Sequence, residues 1–314
     1  MSRKIIIDTD PGVDDALAII MAVNSPELDV LGLTTIFGNV SVEQATTNAL
    51  ILSDFASYDI PVYKGEAVPM TRTPAPYADF VHGDDGFGNI NWPKSSKQAQ
   101  SQSAVDFIIE QVRKHPGEIT LVPLGPLTNI ARVLEKAPDV AALVKEVVLM
   151  GGTIHHCGNV SPVAEANIMG DPHAADKVFA AEWPVVMIGL DVTSQVLLKQ
   201  DDMQKIAEKN PRQGEFLRQA CSFYIDFYQQ TLGIAGCMVH DPSTIAYLLD
   251  PTLFEMEEGR IRVVTDGLAI GQTTLAPGQR HFPYPGWENL PQQKACIKVR
   301  SQALLDLVTG RLSA

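Results

Sequence analysis

Ile5-Ile6-Ile7-Asp8-Thr9-Asp10-Pro11-Gly12-Val13-Asp14-Asp15-Ala16 sets a β-branched run directly against four carboxylates within eight residues. The run from Lys4 to Ile7 is short and apolar, as a buried strand is, and residues 14–23 carry the pattern of a helix that starts at the Pro11-Gly12 turn. The carboxylates then lie at the C-terminal end of a strand, the rim where open α/β sheets bind their ligands. Like charges this close raise one another's pKa unless a cation or an array of donors compensates. Aspartate oxygens are hard ligands and suit Ca²⁺ or Mg²⁺. A helix dipole would by itself account for Asp14 and Asp15, but not for Asp8 and Asp10.

Outward from this stretch, apolar β-rich runs recur at 28–36, 119–124, 146–150 and 184–190. Helical patterns separate them at 42–56, 104–114 and 171–181. Continuous rather than alternating apolar strands imply a sheet covered on both faces, and the intervening helices imply parallel crossovers. The pattern predicts an α/β fold: a single domain over 1–314 with a mostly parallel, Rossmann-like central sheet flanked by helices. It also predicts a more helical part over 201–249 and two long loops, 68–101 and 276–294, where Pro and Gly replace periodicity.

The composition is that of a globular protein, 45% hydrophobic and 19% charged. With 24 Lys+Arg against 37 Asp+Glu the formal charge is −13. That balance argues against binding nucleic acid or an anionic membrane through general electrostatics, and favours a small neutral substrate. No apolar stretch reaches the roughly 18 residues of a membrane span, and Met-Ser-Arg-Lys before three isoleucines is too short for a signal peptide, so a cytoplasmic protein is expected. Cys157, Cys221, Cys237 and Cys296 have no C-x-x-C spacing and read as free thiols.

Polar residues gather after the other strands too: Gly38-Asn39, Leu124-Gly125-Pro126-Leu127-Thr128-Asn129, Met150-Gly151-Gly152, Gly158-Asn159-Val160-Ser161-Pro162, Glu165-Ala166-Asn167 and His240-Asp241-Pro242. In a parallel sheet these points share one rim. Amides and carboxylates dominate it, which suits a polyhydroxyl ligand such as a sugar. Neither a basic cluster nor a P-loop is present to receive a phosphate.

Taken in order, with His82-Gly83 and Gly189-Leu-Asp-Val-Thr193, these strings resemble the inosine-uridine-preferring nucleoside hydrolase family along essentially the whole chain. The resemblance implies the nucleoside hydrolase fold and Ca²⁺-dependent hydrolysis of the N-glycosidic bond of ribonucleosides, to ribose and free base, in nucleoside salvage. It implies that Asp10, Asp15, the Leu124 carbonyl and Asp241 hold the metal, with Asp10 also the general base. Asp14, Asn39, Asn159, Glu165 and Asn167 match ribose-contacting positions, and Met150 falls among the substrate-binding ones. His240 matches the group that protonates the leaving base, and His82, in a loop over the base, is a further catalytic candidate that assists the departure of a pyrimidine. Tyr224 and Tyr228, four apart on a predicted helix and so on one face, match base-stacking tyrosines. A homodimer or homotetramer is implied as well.

Some features depart from that pattern. Ala166 stands where an aromatic residue is common, and residues 283–287 have no family role. His155-His156-Cys157 looks like a soft-metal triad, but three consecutive residues seldom converge on one ion, so it reads as a loop. Asp84-Asp85 reads as a solvated loop pair. Two other functions fit the opening motif. A Mg²⁺-dependent phosphohydrolase of the haloacid dehalogenase type also begins with a strand and Asp-x-Asp, and would need Asp8 as nucleophile. A catalytically silent ribose- or nucleoside-binding protein would keep the metal site and bind ribose without turnover.

Overall fold

The computed structural model describes residues 2–278 and 280–314. Eleven strands are formed among them: β1 Arg3–Thr9, β2 Leu28–Thr35, β3 Val62–Lys64, β4 Thr120–Pro123, β5 Glu146–Met150, β6 Val185–Ile188, β7 Leu197–Leu198, β8 Cys237–Met238, β9 Phe254–Val263, β10 Thr273–Pro277 and β11 Gln293–Val299. Nine make one sheet in the order β10-β9-β11-β6-β5-β4-β1-β2-β3, and β7 pairs with β8 in a separate ribbon. From β11 across to β3 all neighbours run parallel, whereas β9 is antiparallel to both β10 and β11. The chain lays β1, β2 and β3 outward in one direction and then returns to add β4, β5 and β6 on the other side of β1. The order therefore reverses between β1 and β4, and this switch point opens a crevice at the C-terminal rim.

Alternation along the strands sorts the core. Ile5 and Ile7 face one layer while Ile6 faces the other, and β5 divides in the same way, Val148 and Met150 against Val147 and Leu149. One layer includes the helix Val13–Val23, packed under Pro211–Leu232, Asp241–Leu249 and Ser301–Leu312. Every residue from Val13 to Ala22 is buried, Asp14 and Asp15 included, and the rest of that stretch is apolar on all sides. The other layer holds Ala104–Lys114, Thr128–Lys136 and Pro172–Ala180. No helix among the described residues is long and apolar enough to cross a membrane.

Within 68–101 the chain forms the short helix Asp79–His82. The segment 276–294 contains the end of β10 and the start of β11, and its connecting stretch is tied to β9 where Arg262 donates to the Gly286 carbonyl at 2.6 Å. The part over 201–249 is formed by Gln200–Lys209, Pro211–Leu232 and Asp241–Leu249, with β8 between the last two.

Candidate active site

The strand β1 ends at Thr9, and the turn Asp10-Pro11-Gly12 leads straight into the helix Val13–Val23. Gly12 caps that helix, and the Asp15 carboxylate reaches back to accept from Gly12 N–H at 3.0 Å, so Asp15 serves its own helix terminus. The same carboxylate also accepts from Thr9 Oγ1 and from Asn39 Nδ2 at 3.1 Å. Asp10 Oδ2 accepts from Asn39 N–H at 2.6 Å, while Oδ1 is buried without a partner. Asp14 Oδ1 is likewise buried and unpartnered. Asp8 Oδ1 accepts from Thr34 Oγ1 at 2.6 Å and from Asn129 Nδ2 at 2.7 Å, and Oδ2 has no partner.

Asp10 sits in a seat made by two glycines on neighbouring strand ends. A Cβ on Gly38 would lie 1.9 Å from Asp10 Oδ2, and one on Gly125 would lie 2.3 Å from Oδ1. Only a residue without a side chain fits at either place.

Asp241 joins from the first turn of Asp241–Leu249. Asp14, Asp15 and Asp241 each offer an oxygen, and these lie within 4.8 Å of one another. Asp10 stands beside this trio, its Oδ2 held by Asn39, and its charge is felt by Asp241. Burial pushes Asp14 up to about 6, and burial together with the Asp14 charge pushes Asp15 up to about 6. Burial also raises Asp10, with Asp15 adding to it, and raises Asp241, with Asp14, Asp15 and Asp10 adding to it. Asp8 is pushed up to about 7 by burial despite its two donors. So many desolvated carboxylates, several with orphaned oxygens, are the donor set a hard divalent cation satisfies.

The Leu124 carbonyl follows β4 across the crevice and accepts from Asn167 Nδ2 at 2.6 Å. The same amide group reaches the Met150 carbonyl at 3.2 Å and Sδ at 3.4 Å. Glu165 is buried and caps Ala166–Gly170, its oxygens accepting from the backbone N–H groups of Asn167, Ile168 and Gly152. Burial raises its pKa against those donors. Asn159 stands apart: it is exposed, and its Oδ1 accepts from Ala166 N–H at 3.0 Å.

Opposite the carboxylates, a chain of hydrogen bonds runs through the aromatic residues. Thr193 Oγ1 meets His240 Nδ1 at 2.8 Å, His240 Nε2 meets Tyr228 Oη at 2.9 Å, and Tyr228 Oη meets Tyr224 Oη at 3.3 Å. Tyr224 Oη then lies 3.5 Å from Asp14 Oδ2. His82 is buried and packs beside the Tyr224 ring at 5.2 Å between centroids. Its Nδ1 accepts from Val13 N–H at 3.2 Å and lies 3.9 Å from Asp14 Oδ1. Burial pushes His82 down to about 4, and burial with a neighbouring His82 pushes His240 down to about 4. Both rings are neutral at pH 7, and the neutral His82 ring carries its proton on Nε2.

Asp85, expected to be a solvated loop residue, and Asp191, which the sequence left without a role, both hold loops in place. Asp85 accepts from the N–H groups of Phe87, Asn89 and Asn91, which shapes the loop after His82 and leaves the carboxylate engaged rather than idle in solvent. Asp191 accepts from three successive N–H groups, Ile154, His155 and His156, and so anchors the segment that leads to Asn159. His155 Nε2 turns to Glu257 at 3.2 Å while His156 Nδ1 turns to the Cys157 carbonyl, so these three residues do not converge. A cavity of about 230 Å³ shares Asn39 with the site and is bounded by Tyr77, Asp79 and Asp84 of the 68–101 segment. A larger one, about 360 Å³, lies elsewhere, and its cations are paired: Lys64 with Glu43, Arg132 with Glu135, Lys136 with Asp106.

The profile of the family described as "Inosine-uridine preferring nucleoside hydrolase" matches residues 5–306. The chain belongs to that family. It is 41% identical to uridine nucleosidase 1 of Arabidopsis thaliana, over 99% of this chain and 93% of the relative. Among solved structures it superposes on a plant nucleoside hydrolase with a TM-score of 0.96 at 39% identity, covering 100% of both chains. A purine-preferring ribonucleoside hydrolase from Gardnerella vaginalis matches with a TM-score of 0.92 at 38% identity, covering 99% of this chain and 98% of the other. The protein is thus an N-glycosyl hydrolase acting on ribonucleosides, with the nucleoside hydrolase fold. The phosphohydrolase alternative is not favoured, and the geometry agrees: Asp8, its required nucleophile, is 1% exposed and tied to Thr34 and Asn129. The silent-binder alternative gives way to the enzymes the hydrolase resembles.

Proposed function

We propose that the hydrolase cleaves uridine- and inosine-type ribonucleosides to ribose and free base with the help of one Ca²⁺, in nucleoside salvage. One observation carries this reading: buried carboxylates with orphaned oxygens converge at the switch-point crevice. Asp10, Asp15, Asp241 and the Leu124 carbonyl would hold the ion, and the trio geometry adds Asp14 to the oxygens within reach. When bound, Ca²⁺ would offset the carboxylate charge, anchor sugar hydroxyls and acidify a water.

The residues then divide the work. Asp10, with one oxygen held by Asn39 and the other unengaged, takes the proton of the attacking water as its oxygen bonds to C1′. Asp14, Asn39, Asn159, Glu165 and Asn167, with Met150 beside them, hold the ribose while positive charge develops on it. The C1′–N bond breaks with its electron pair passing to the base. His240 supplies the proton that base takes up as an imidazolium, which burial makes the minor form at pH 7 and the stronger acid, and it returns to the neutral ring. Tyr224 and Tyr228 line the base, and His82 stands over it beside Tyr224.

The relative named a uridine nucleosidase supports pyrimidine acceptance, and the purine-preferring relative makes a purine arm necessary in any test. Ribose release from uridine, cytidine, inosine and adenosine, each with and without chelator, tests the proposal. Turnover of uridine or inosine that is lost on chelation and restored by CaCl₂ is expected. Full activity without divalent ions overturns the metal assignment. We also place the protein in the cytoplasm, which its free thiols suit, and read it as a homodimer or homotetramer. Sedimentation velocity measures the state directly.

A further inference from the structure

The short helix Leu190–Thr193 follows β6 and ends the string Gly189-Leu-Asp-Val-Thr193. Its backbone is pressed against the end of β5: Leu190 N–H donates to the Gly152 carbonyl at 2.9 Å, and a Cβ on Gly189 would lie 2.6 Å from that oxygen. Thr193 is fully buried, and the partner its hydroxyl has among the described residues is His240 Nδ1. The other ring nitrogen meets Tyr228, so the imidazole is gripped from the turn after β6 and from the helix Pro211–Leu232 at once.

The main chain at His240 is secured independently. Val239 N–H donates to the Val196 carbonyl at 3.0 Å, β7 pairs with β8 just before it, and Ser243 N–H donates to the His240 carbonyl at 3.1 Å. Deleting the Thr193 hydroxyl therefore leaves the ring held at Nε2 alone, free to tilt about that contact without releasing the backbone, and leaves buried Nδ1 without its partner.

We propose that Thr193 is a positioning residue whose hydroxyl fixes the plane of the His240 imidazole so that it faces the departing base. The inference rests on the reading of His240 as the acid that protonates that base. It predicts a dependence on the leaving group that a purely structural role for Thr193 would not produce.

The test compares Thr193→Val, Thr193→Ser and His240→Ala on uridine and on 4-nitrophenyl riboside, whose nitrophenolate departs without a proton. Thr193→Val should lose about tenfold or more in kcat on uridine, the size of one lost orienting hydrogen bond, with KM little changed. It should keep 4-nitrophenyl riboside turnover within about twofold, and Thr193→Ser should restore uridine turnover. Equal losses on both substrates, no loss on uridine, or a serine variant that behaves like valine overturns the positioning role. If His240→Ala itself shows no split between the substrates, the reading of His240 as acid fails; a split there and none in Thr193→Val overturns the Thr193 proposal alone. If Thr193→Val loses its cooperative melting transition, Thr193→Ala against Thr193→Ser supplies the same comparison.

Discussion

On the proposed metal reading, the stabilisation that Ca²⁺ confers should shrink as the pH falls, by an amount the buried carboxylates set. Asp14 and Asp15 are raised from an ordinary value of 3.8 to about 6 in the metal-free fold. At 1.36 kcal/mol per pKa unit, each ionised group costs the metal-free fold about 3 kcal/mol at pH 7.5. A group with a raised folded pKa favours the fold at low pH and loses that contribution as pH rises through the folded value. Lowering the pH from 7.5 to 5 protonates both carboxylates, and Ca²⁺ must then displace those protons at about 1.4 kcal/mol each. Asp10 and Asp241, also raised, push in the same direction. His82 and His240 pull the other way. Lowered to about 4 from 6.5, they favour the fold above pH 6.5 and lose that contribution as pH falls toward 4. They act on both metal-free and metal-loaded protein, so they cancel when the two are subtracted. The assay is therefore the difference in Tm between protein in 1 mM CaCl₂ and in EDTA, measured at pH 7.5 and pH 5. Unfolding 314 residues carries an entropy of about 0.7 kcal/mol/K, so a loss of about 3 kcal/mol reduces the Ca²⁺ increment by about 4 °C. An increment that is equal at the two pH values, or larger at pH 5, refutes the coupling of these carboxylates to the ion.

Three further outcomes follow from named contacts. Asp10→Ala should lower kcat on uridine by at least about a hundredfold while the protein still melts cooperatively, and a near wild-type rate would remove Asp10 as general base. Gly125→Ala should lose activity to a similar degree because its Cβ would fall 2.3 Å from Asp10 Oδ1; unchanged turnover would show that Asp10 need not occupy that seat. Gly310→Ala lies within Ser301–Leu312 with nothing within 4 Å, so it should raise stability by up to about 1 kcal/mol, read as Tm, with activity unchanged.

Much of the parallel half of the fold was legible because buried parallel strands are written as unbroken apolar runs. The strand at 146–150 and the helix at 104–114 form at the predicted bounds, and β2, β4 and β6 lie within the runs that announced them. The antiparallel edge was not announced. β9 reads Phe-Glu-Met-Glu-Glu-Gly-Arg-Ile-Arg-Val, exposed and charged near its start and with no unbroken apolar run. At the site, the aspartates could be found because their crowding is local. Thr193, Asp191 and Asp85 could not be assigned from their neighbours in sequence, since their partners lie on other segments or on a loop whose shape they themselves create. The burial of His82 was equally invisible: its helix is four residues long, and the packing comes from Tyr224 and the Val13 amide, 142 and 69 positions away.

The glycine seat around Asp10 bears on how the enzyme comes into being. Asp10 follows β1, Gly38 and Asn39 follow β2, Gly125 follows β4, and Asp241 arrives from the far C-terminal third. In a nascent chain water solvates these aspartates, and their charge becomes costly only as the distant segments dock and bury them. Burial, with repulsion among Asp10, Asp14 and Asp15, then opposes the closing of the crevice. On the proposed metal reading, ion capture would be a late event in folding, and a chain that holds the ion would have completed its topology.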